Sequence, residues 1–203
     1  MDVVRKPRPG QRSALGVLPA SVRRAALLAQ ENHPRVAFRD VSRATDSRTV
    51  RAALVPGEVF LLNSAPYLVF IDADFTSRLA CLGVLNRLPF DWQARRFVET
   101  HLNFFILEGL VVPKMDGATA RELAKVAGRL SCIDERYSEV AQEMDVECGP
   151  LNPTQRLSLR AKADAIVARA WGLRTTDVEL LLTDFTKDAV TEEHRHLFLN
   201  GVG

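Results

Sequence analysis

Short apolar runs broken by Pro, Gly, Asn and Asp mark the first half of this chain, and three-and-four apolar spacing marks the second. Residues 35–38 (RVAF), 58–63 (EVFLLN) and 66–72 (PYLVFID) are rich in β-branched and aromatic side chains. Each run is bounded by Pro, Gly, Asn or Asp, and the pattern predicts strands. Residues 76–86 carry helical spacing through Leu79, Leu82 and Leu85, and Asp91 stands where it could cap a helix through WQARRFVETHL. NFFILEGLVVP, residues 103–113, reads as one buried strand or two short ones.

Beyond Pro113 the period changes. Leu123, Val126, Ala127, Leu130, Ile133, Tyr137, Val140, Ala141 and Met144 keep helical spacing without a break. They predict one long amphipathic helix over residues 118–144 with a single apolar stripe. Gly149-Pro150 ends it. Asn152 with Pro153 behind it opens a second helix running to Trp171, with Gly172 at its end. Thr176 and Glu179 suggest a capping box for VELLLTDF, and residues 191–200, closed by Gly201, form a last helix. Near the start, Ser21 caps a short helix over residues 21–30.

The predicted architecture is an α/β (α+β) domain with a small mixed sheet, followed by a helical C-terminal region. Its expected parts are a basic tail and short helix (1–32), the α/β domain (33–114), and a helical arm with C-terminal helices (115–203).

At 203 residues and 47% hydrophobic the chain can bury a substantial core. No apolar run reaches membrane-spanning length, so no membrane partner is expected. The opening MDVVRKPRPGQRS lacks the apolar stretch of a secretory signal. Cys81, Cys132 and Cys148 are odd in number and far apart, which fits small core residues in a reducing cytoplasm. His33, His101, His194 and His196 lack metal-ligand spacing, so neither metal nor cofactor is expected.

Charge alters this picture. The net charge is only +2, but residues 1–114 hold 16 Lys+Arg against 10 Asp+Glu, while the remainder holds 11 against 15. The basic half is expected to face a polyanion and the acidic half to be a solvated helical surface.

The order RVAFRDVSRATDSRT (35–49), VFLLNSAPYL (59–68), LGVLNRLPFDWQARRFVETHLNFFIL (82–107) and Val112-Pro113 resembles the C-terminal target-recognition region of adenine-specific DNA methyltransferases. These belong to type II (type IIG-like) restriction–modification and BREX-type defence systems. The tail LLTDFTKDAV (181–190) resembles the ends of such proteins, and the likeness covers about residues 35–200. Ser64 departs from the pattern, which has a lysine between the asparagine and the alanine-proline-tyrosine. The resemblance implies a TaqI-like specificity domain in which a globular module reads bases and a long helix serves as spacer or docking arm. It further implies double-stranded DNA as partner, together with a methyltransferase or restriction subunit acting in trans or lost in cis.

Catalysis is not expected of this sequence. An amino-methyltransferase needs a Gly-rich loop after a strand and an N-P-P-Y-like loop for the flipped adenine. Neither stands here: Asn63-Ser64-Ala65-Pro66-Tyr67 has one residue too many and reads as a turn between strands. Asp72 and Asp74 lack the downstream partners of a nuclease core and read as a turn.

The residues expected to touch DNA are Arg39, Arg43, Arg48 and Arg51 with the hydroxyls of Thr45 and Thr49, joined by Asn63, Tyr67, Arg95 and Arg96. Against this, Arg39–Asp40 and Asp46–Arg48 could be local salt-bridged turns, and Tyr67 could be a buried strand residue. Adjacent on one helix, Arg95 and Arg96 must point apart, one toward DNA or an acidic partner and the other over Trp92. Phe90, Trp92, Phe97, Phe104 and Phe105 read as core. A second reading makes the chain a protein-interaction module that docks or homodimerises through the stripe of 118–144. A third makes it a fragment of such a methyltransferase without function of its own.

Overall fold

A computed structural model describes residues 33–70 and 74–203, so the basic tail and the helix expected over residues 21–30 lie outside the described residues. Three antiparallel strands form the sheet: β1 (Arg35–Phe38), β2 (Ala52–Val55) and β3 (Tyr67–Leu68), in the order β2-β1-β3. Phe38 lies opposite Ala52, and Val36 opposite Leu68. Every residue of the central strand β1 is buried. The sheet is therefore antiparallel throughout, not mixed.

Two strand expectations fail for identifiable reasons. Residues 58–63 are not a strand: Glu58 has a positive φ of 61°, which turns the chain, and Phe60 and Leu62 are left exposed. The strand that pairs with β1 is instead Ala-Ala-Leu-Val, whose alanines give little local strand preference. Its outer edge is closed by side chains. The Asn86 amide accepts from Ala52 N at 3.0 Å and donates to Ala52 O at 2.9 Å, and Tyr137 Oη donates to Leu54 O at 2.9 Å. A strand edge satisfied this way cannot template pairing with another chain.

Eight α-helices follow. Helix α1 (Phe75–Leu85) starts at Asp74, whose carboxylate accepts from Ser77 N at 2.8 Å, so Asp74 is a cap and not merely a turn residue. Helix α2 (Leu88–Ala94) begins before Asp91, with Pro89 in its first turn. Asp91 is thus inside the helix and wholly buried instead of capping it. Helix α3 (Phe104–Gly109) replaces the strand expected over residues 103–113 because the Asn103 side chain accepts from Ile106 N, a cap that overrides the β preference of Phe-Phe-Ile. Phe104 meets Phe38 edge-on at 5.3 Å, whereas Phe97 and Phe105 are exposed, not core.

The long helix expected over residues 118–144 is two helices. Helix α4 (Gly117–Ser131) ends at Cys132, and a 3-10 turn (Glu135–Tyr137) leads into α5 (Ser138–Met144). Asp134 forces the break by accepting from Arg136 N at 3.1 Å and pairing with its guanidinium at 2.7 Å. The apolar spacing survives the break because both helices pack against α1. Leu123, Val126, Ala127, Val140, Ala141 and Met144 are buried in the same core as Val36, Phe38 and Leu79. The stripe assigned to a partner or homodimer is therefore used inside the chain's own core, which takes residues from both sides of position 114.

Helix α6 (Pro153–Ala170) has the expected Asn152 cap, joined by Gln155 in a reciprocal box, and Gly172 follows it at φ 71°. Helix α7 (Thr175–Leu182) starts earlier than expected, with Asp177 accepting from Arg174 N at 2.9 Å in place of a Thr176–Glu179 box. Helix α8 (Glu192–Val202), capped by Thr191, runs through Gly201 instead of stopping there. A Cβ at Gly201 would lie 2.7 Å from Ala165 Cβ, so this glycine lets α8 approach α6. Gly83 does the same for α1 and α4, since a Cβ there would fall 2.6 Å from Leu123 Cγ. Among the described residues no helix is long and apolar enough to cross a membrane.

Replacing Gly83 tests this packing. Gly83→Val should destabilise the chain by about 1–3 kcal/mol through overpacking. Gly117→Ala, at a position with open space around it, should be neutral or slightly stabilising. Urea unfolding of both variants checks the pair; equal midpoints would mean that α1 and α4 do not meet at Gly83.

Candidate polyanion-binding cleft

A cleft of about 570 Å³ opens between β2, the end of α1, the end of α4 and the first turns of α6. Five arginines line it: Arg48, Arg51, Arg87, Arg156 and Arg160, and no acidic side chain does. Each is placed by a local feature. Arg156 and Arg160 stand four apart on α6 and so share one face. Arg87 precedes α2, and Arg48 and Arg51 flank the approach to β2.

Two buried carboxylates organise the surroundings. Asp91 accepts from Val50 N at 2.6 Å and from Arg95 Nε at 3.0 Å, with Arg48 Nε at 3.9 Å. Asp164 on α6 accepts from Leu88 N at 2.7 Å and from His194 Nε2 at 2.8 Å, with Arg87 Nε at 4.0 Å. Arg87 offers α2 no side-chain cap, so Asp164 satisfies the helix's first amide from a distant part of the chain. Burial would raise the Asp164 carboxyl, but the Arg87 charge, His194 and Arg48 together hold it below the usual carboxylate range.

The arginines press on one another. Burial, with the charges of Arg48 and Arg160 adding to it against the pull of Asp164, brings Arg87 down to about 10. Arg160 is lowered by partial burial and by Arg48 and Arg156. Neither the Arg156 nor the Arg160 guanidinium makes a hydrogen bond or ion pair among the described residues. Arg87 Nη1 donates to Arg160 O at 3.0 Å, and its buried Nε makes no hydrogen bond. Such a gathering of like charge, incompletely neutralised, is suited to an anion.

Of the residues expected to touch DNA, Arg48 and Arg51 line the cleft. Arg51 Nη2 donates to Ser47 Oγ at 3.1 Å, and Arg48 Nη2 to Asn86 O. Arg43 and Thr45 are exposed on the preceding loop. Thr49 is wholly buried, with its hydroxyl on Arg43 O at 3.1 Å, and cannot reach a ligand. Arg39 pairs with Asp46 across the loop, not with Asp40, and its Nε is buried without a partner. Asn63 is exposed and Tyr67 half-buried beneath the Arg35 guanidinium at 5.0 Å; neither lines the cleft.

Arg95 and Arg96 are both engaged within the protein. Arg95 clips the loop through Ala44 O at 2.6 Å, Asp46 O at 2.7 Å and Ser47 O at 3.1 Å. Arg96 lies 4.3 Å over Trp92 and pairs with Asp184. The expected stacking on Trp92 is present, but the other arginine turns inward to the loop.

Arg87, Arg156 and Arg160 were not among the expected residues. A signal for two of them exists, since like charges four apart on one helix face disfavour the helix unless something offsets them. The acidic balance of the C-terminal half hides it, because charge separated in sequence is brought together in space. The cysteines divide: Cys132 is buried and Cys81 packs against the core, where burial pushes its thiol up to about 12, but Cys148 is exposed and not a core residue. Among the described residues no group of His, Cys, Asp and Glu is arranged to hold a metal ion.

Asp164→Asn tests the scaffold. Because the folded carboxyl lies below its unfolded value near 3.9, its stabilisation is present above about pH 4 and is lost as pH falls through the folded value. The variant should lose about 3–5 kcal/mol at neutral pH and show a flatter acid limb than wild type. Urea midpoints at neutral and acid pH measure both, and an unchanged acid limb would contradict the assignment.

No protein-family model, no curated protein and no solved structure matches this chain.

Proposed function

We propose that the chain is a non-catalytic DNA-binding target-recognition module serving a restriction–modification or phage-defence adenine methyltransferase. The observation that carries the DNA-binding part is the convergence of five arginines on one face with no acidic lining residue. Phosphate contacts hold a protein in register on a duplex, and arginine is the side chain best shaped for them. Exposed Arg43 and Thr45 sit on the loop leading to Arg48 and Arg51 and extend the same phosphate-binding chemistry outward. Target recognition and the methyltransferase association rest on the sequence resemblance. In this reading the catalytic chemistry belongs to a partner subunit, and the recognition loop is held to α2 by Asp91 and Arg95.

A protein-interaction reading is favoured by a different observation. Phe60, Leu62 and Phe105 expose 79%, 77% and 85% of their surface, a degree unusual for side chains that large. A catalytic subunit in trans would find its apolar contacts there and not on the stripe of α4 and α5.

Fluorescence anisotropy with a labelled duplex across a salt series tests the main reading. Log affinity should fall linearly with log salt, by about 0.9 per phosphate neutralised. Arg43→Gln and Arg51→Gln should each weaken binding and lower the slope by about 1. Salt-independent binding, or none at low ionic strength with or without a partner subunit, would refute it.

A further inference from the structure

The shape of the cleft says more than its charge. At about 570 Å³ it has the volume of a small-molecule site, and five arginines from three parts of the chain line it. Arg87 is the most buried of them, only 5% exposed, and its Nε faces Asp164 at 4.0 Å without a hydrogen bond. Arg156 and Arg160 meet it from α6, and Arg48 from the opposite wall. Asp91 and Asp164 lie behind Arg48 and Arg87, fully buried, and already hold backbone amides and other side chains. They offset part of the charge, Asp164 acting on Arg160 as well as on Arg87, and Arg156 and Arg160 keep their guanidinium donors out of any hydrogen bond among the described residues. The remaining walls are apolar, with Leu54, Leu82, Leu130, Ile133 and Tyr137 beside the arginines. A site so divided fits a ligand with one strongly anionic end and one less polar body.

We propose that the cleft seats the terminal phosphate of a nucleoside monophosphate group on Arg48, Arg87, Arg156 and Arg160, with the nucleoside against Leu54, Leu130 and Ile133. A phosphomonoester near pH 7 carries about 1.5 to 2 negative charges, whereas each internal diester phosphate of a strand carries one. A concave cluster of this charge therefore selects the monoester. The shared chemistry has two sources: a free mononucleotide, or the 5′-phosphorylated end of a nucleic-acid strand. The inference rests on the proposed reading only in taking a phosphate-bearing nucleic-acid component as the ligand class.

Calorimetric titration of the full chain with adenosine 5′-monophosphate, adenosine and inorganic phosphate tests the seat. The monophosphate should bind, adenosine should not, and phosphate alone should bind more weakly. Arg160→Gln and Arg156→Gln, whose head groups make no side-chain hydrogen bond or close ion pair among the described residues, should each weaken the monophosphate roughly tenfold or more with little change in the thermal midpoint. Affinity should also fall as pH drops below about 6, where the monoester takes up its second proton.

A duplex compared with and without 5′-phosphates separates the sources. Preference for the phosphorylated duplex identifies a strand end, and monophosphate binding with no such preference identifies a free nucleotide; both sustain the seat. If the monophosphate binds no better than adenosine and the 5′-phosphate adds nothing, the seat is overturned. Salt-dependent binding of the 5′-hydroxyl duplex would still support the DNA reading in that case. Conversely, monophosphate binding without any duplex binding would overturn the DNA reading alone.

Discussion

Asp91 and Asp164, both shut off from water, bracket helix α2 and hold three otherwise separate parts of the chain to it. Asp91 fixes the loop before β2 through Val50 N and Arg95. Asp164 fixes α6 through Leu88 N and ties α8 to the same point through His194. Both carboxylates depend on their hydrogen bonds and facing arginines, because an unpaired buried charge costs several kcal/mol. The arginines are thereby drawn toward α2 from the loop, from α1's end and from α6. Placement of the cleft follows from this constraint: with either carboxylate removed, one of its walls loses its anchor.

The same arrangement explains why the cleft is cationic despite a nearly neutral chain. The two buried acids face inward and are occupied by amides and side chains, so their charge is not displayed at the mouth. Of the arginines beside them, Arg48 and Arg87 line the cleft, whereas Arg95 is spent on the loop carbonyls. A fold stabilised by buried carboxylates thus leaves an excess of guanidinium lining one cleft. The apolar walls come from the single core that α1, α4 and the sheet share.

Sequence patterning revealed the elements whose signals are local. RVAF was legible as a strand, residues 76–86 as a helix, and Asn152-Pro153 as a helix start, because period and caps act within a few residues. Residues 103–113 were misread because aromatic and branched residues imitate a strand, while the single Asn103 cap decides for a helix. The break at Cys132 was invisible to periodicity because both helices bury the same face. Arg48 and Arg51 stood out in the sequence and line the cleft, but Arg87, Arg156 and Arg160 join them only through the fold. Thr49 and Arg95 carry the right chemistry and are engaged inside the protein by contacts that composition cannot show.

The central claim is that arginines from both halves of the chain act on one anion. It is tested most directly by following the arginine Nε–Hε resonances of the isotopically labelled full chain during titration with a duplex or a nucleoside monophosphate. The account predicts that Arg87, Arg156 and Arg160 shift together and saturate with one dissociation constant, while Arg96, held by Asp184, stays in place. Shifts confined to other arginines, with those three unmoved, would contradict it.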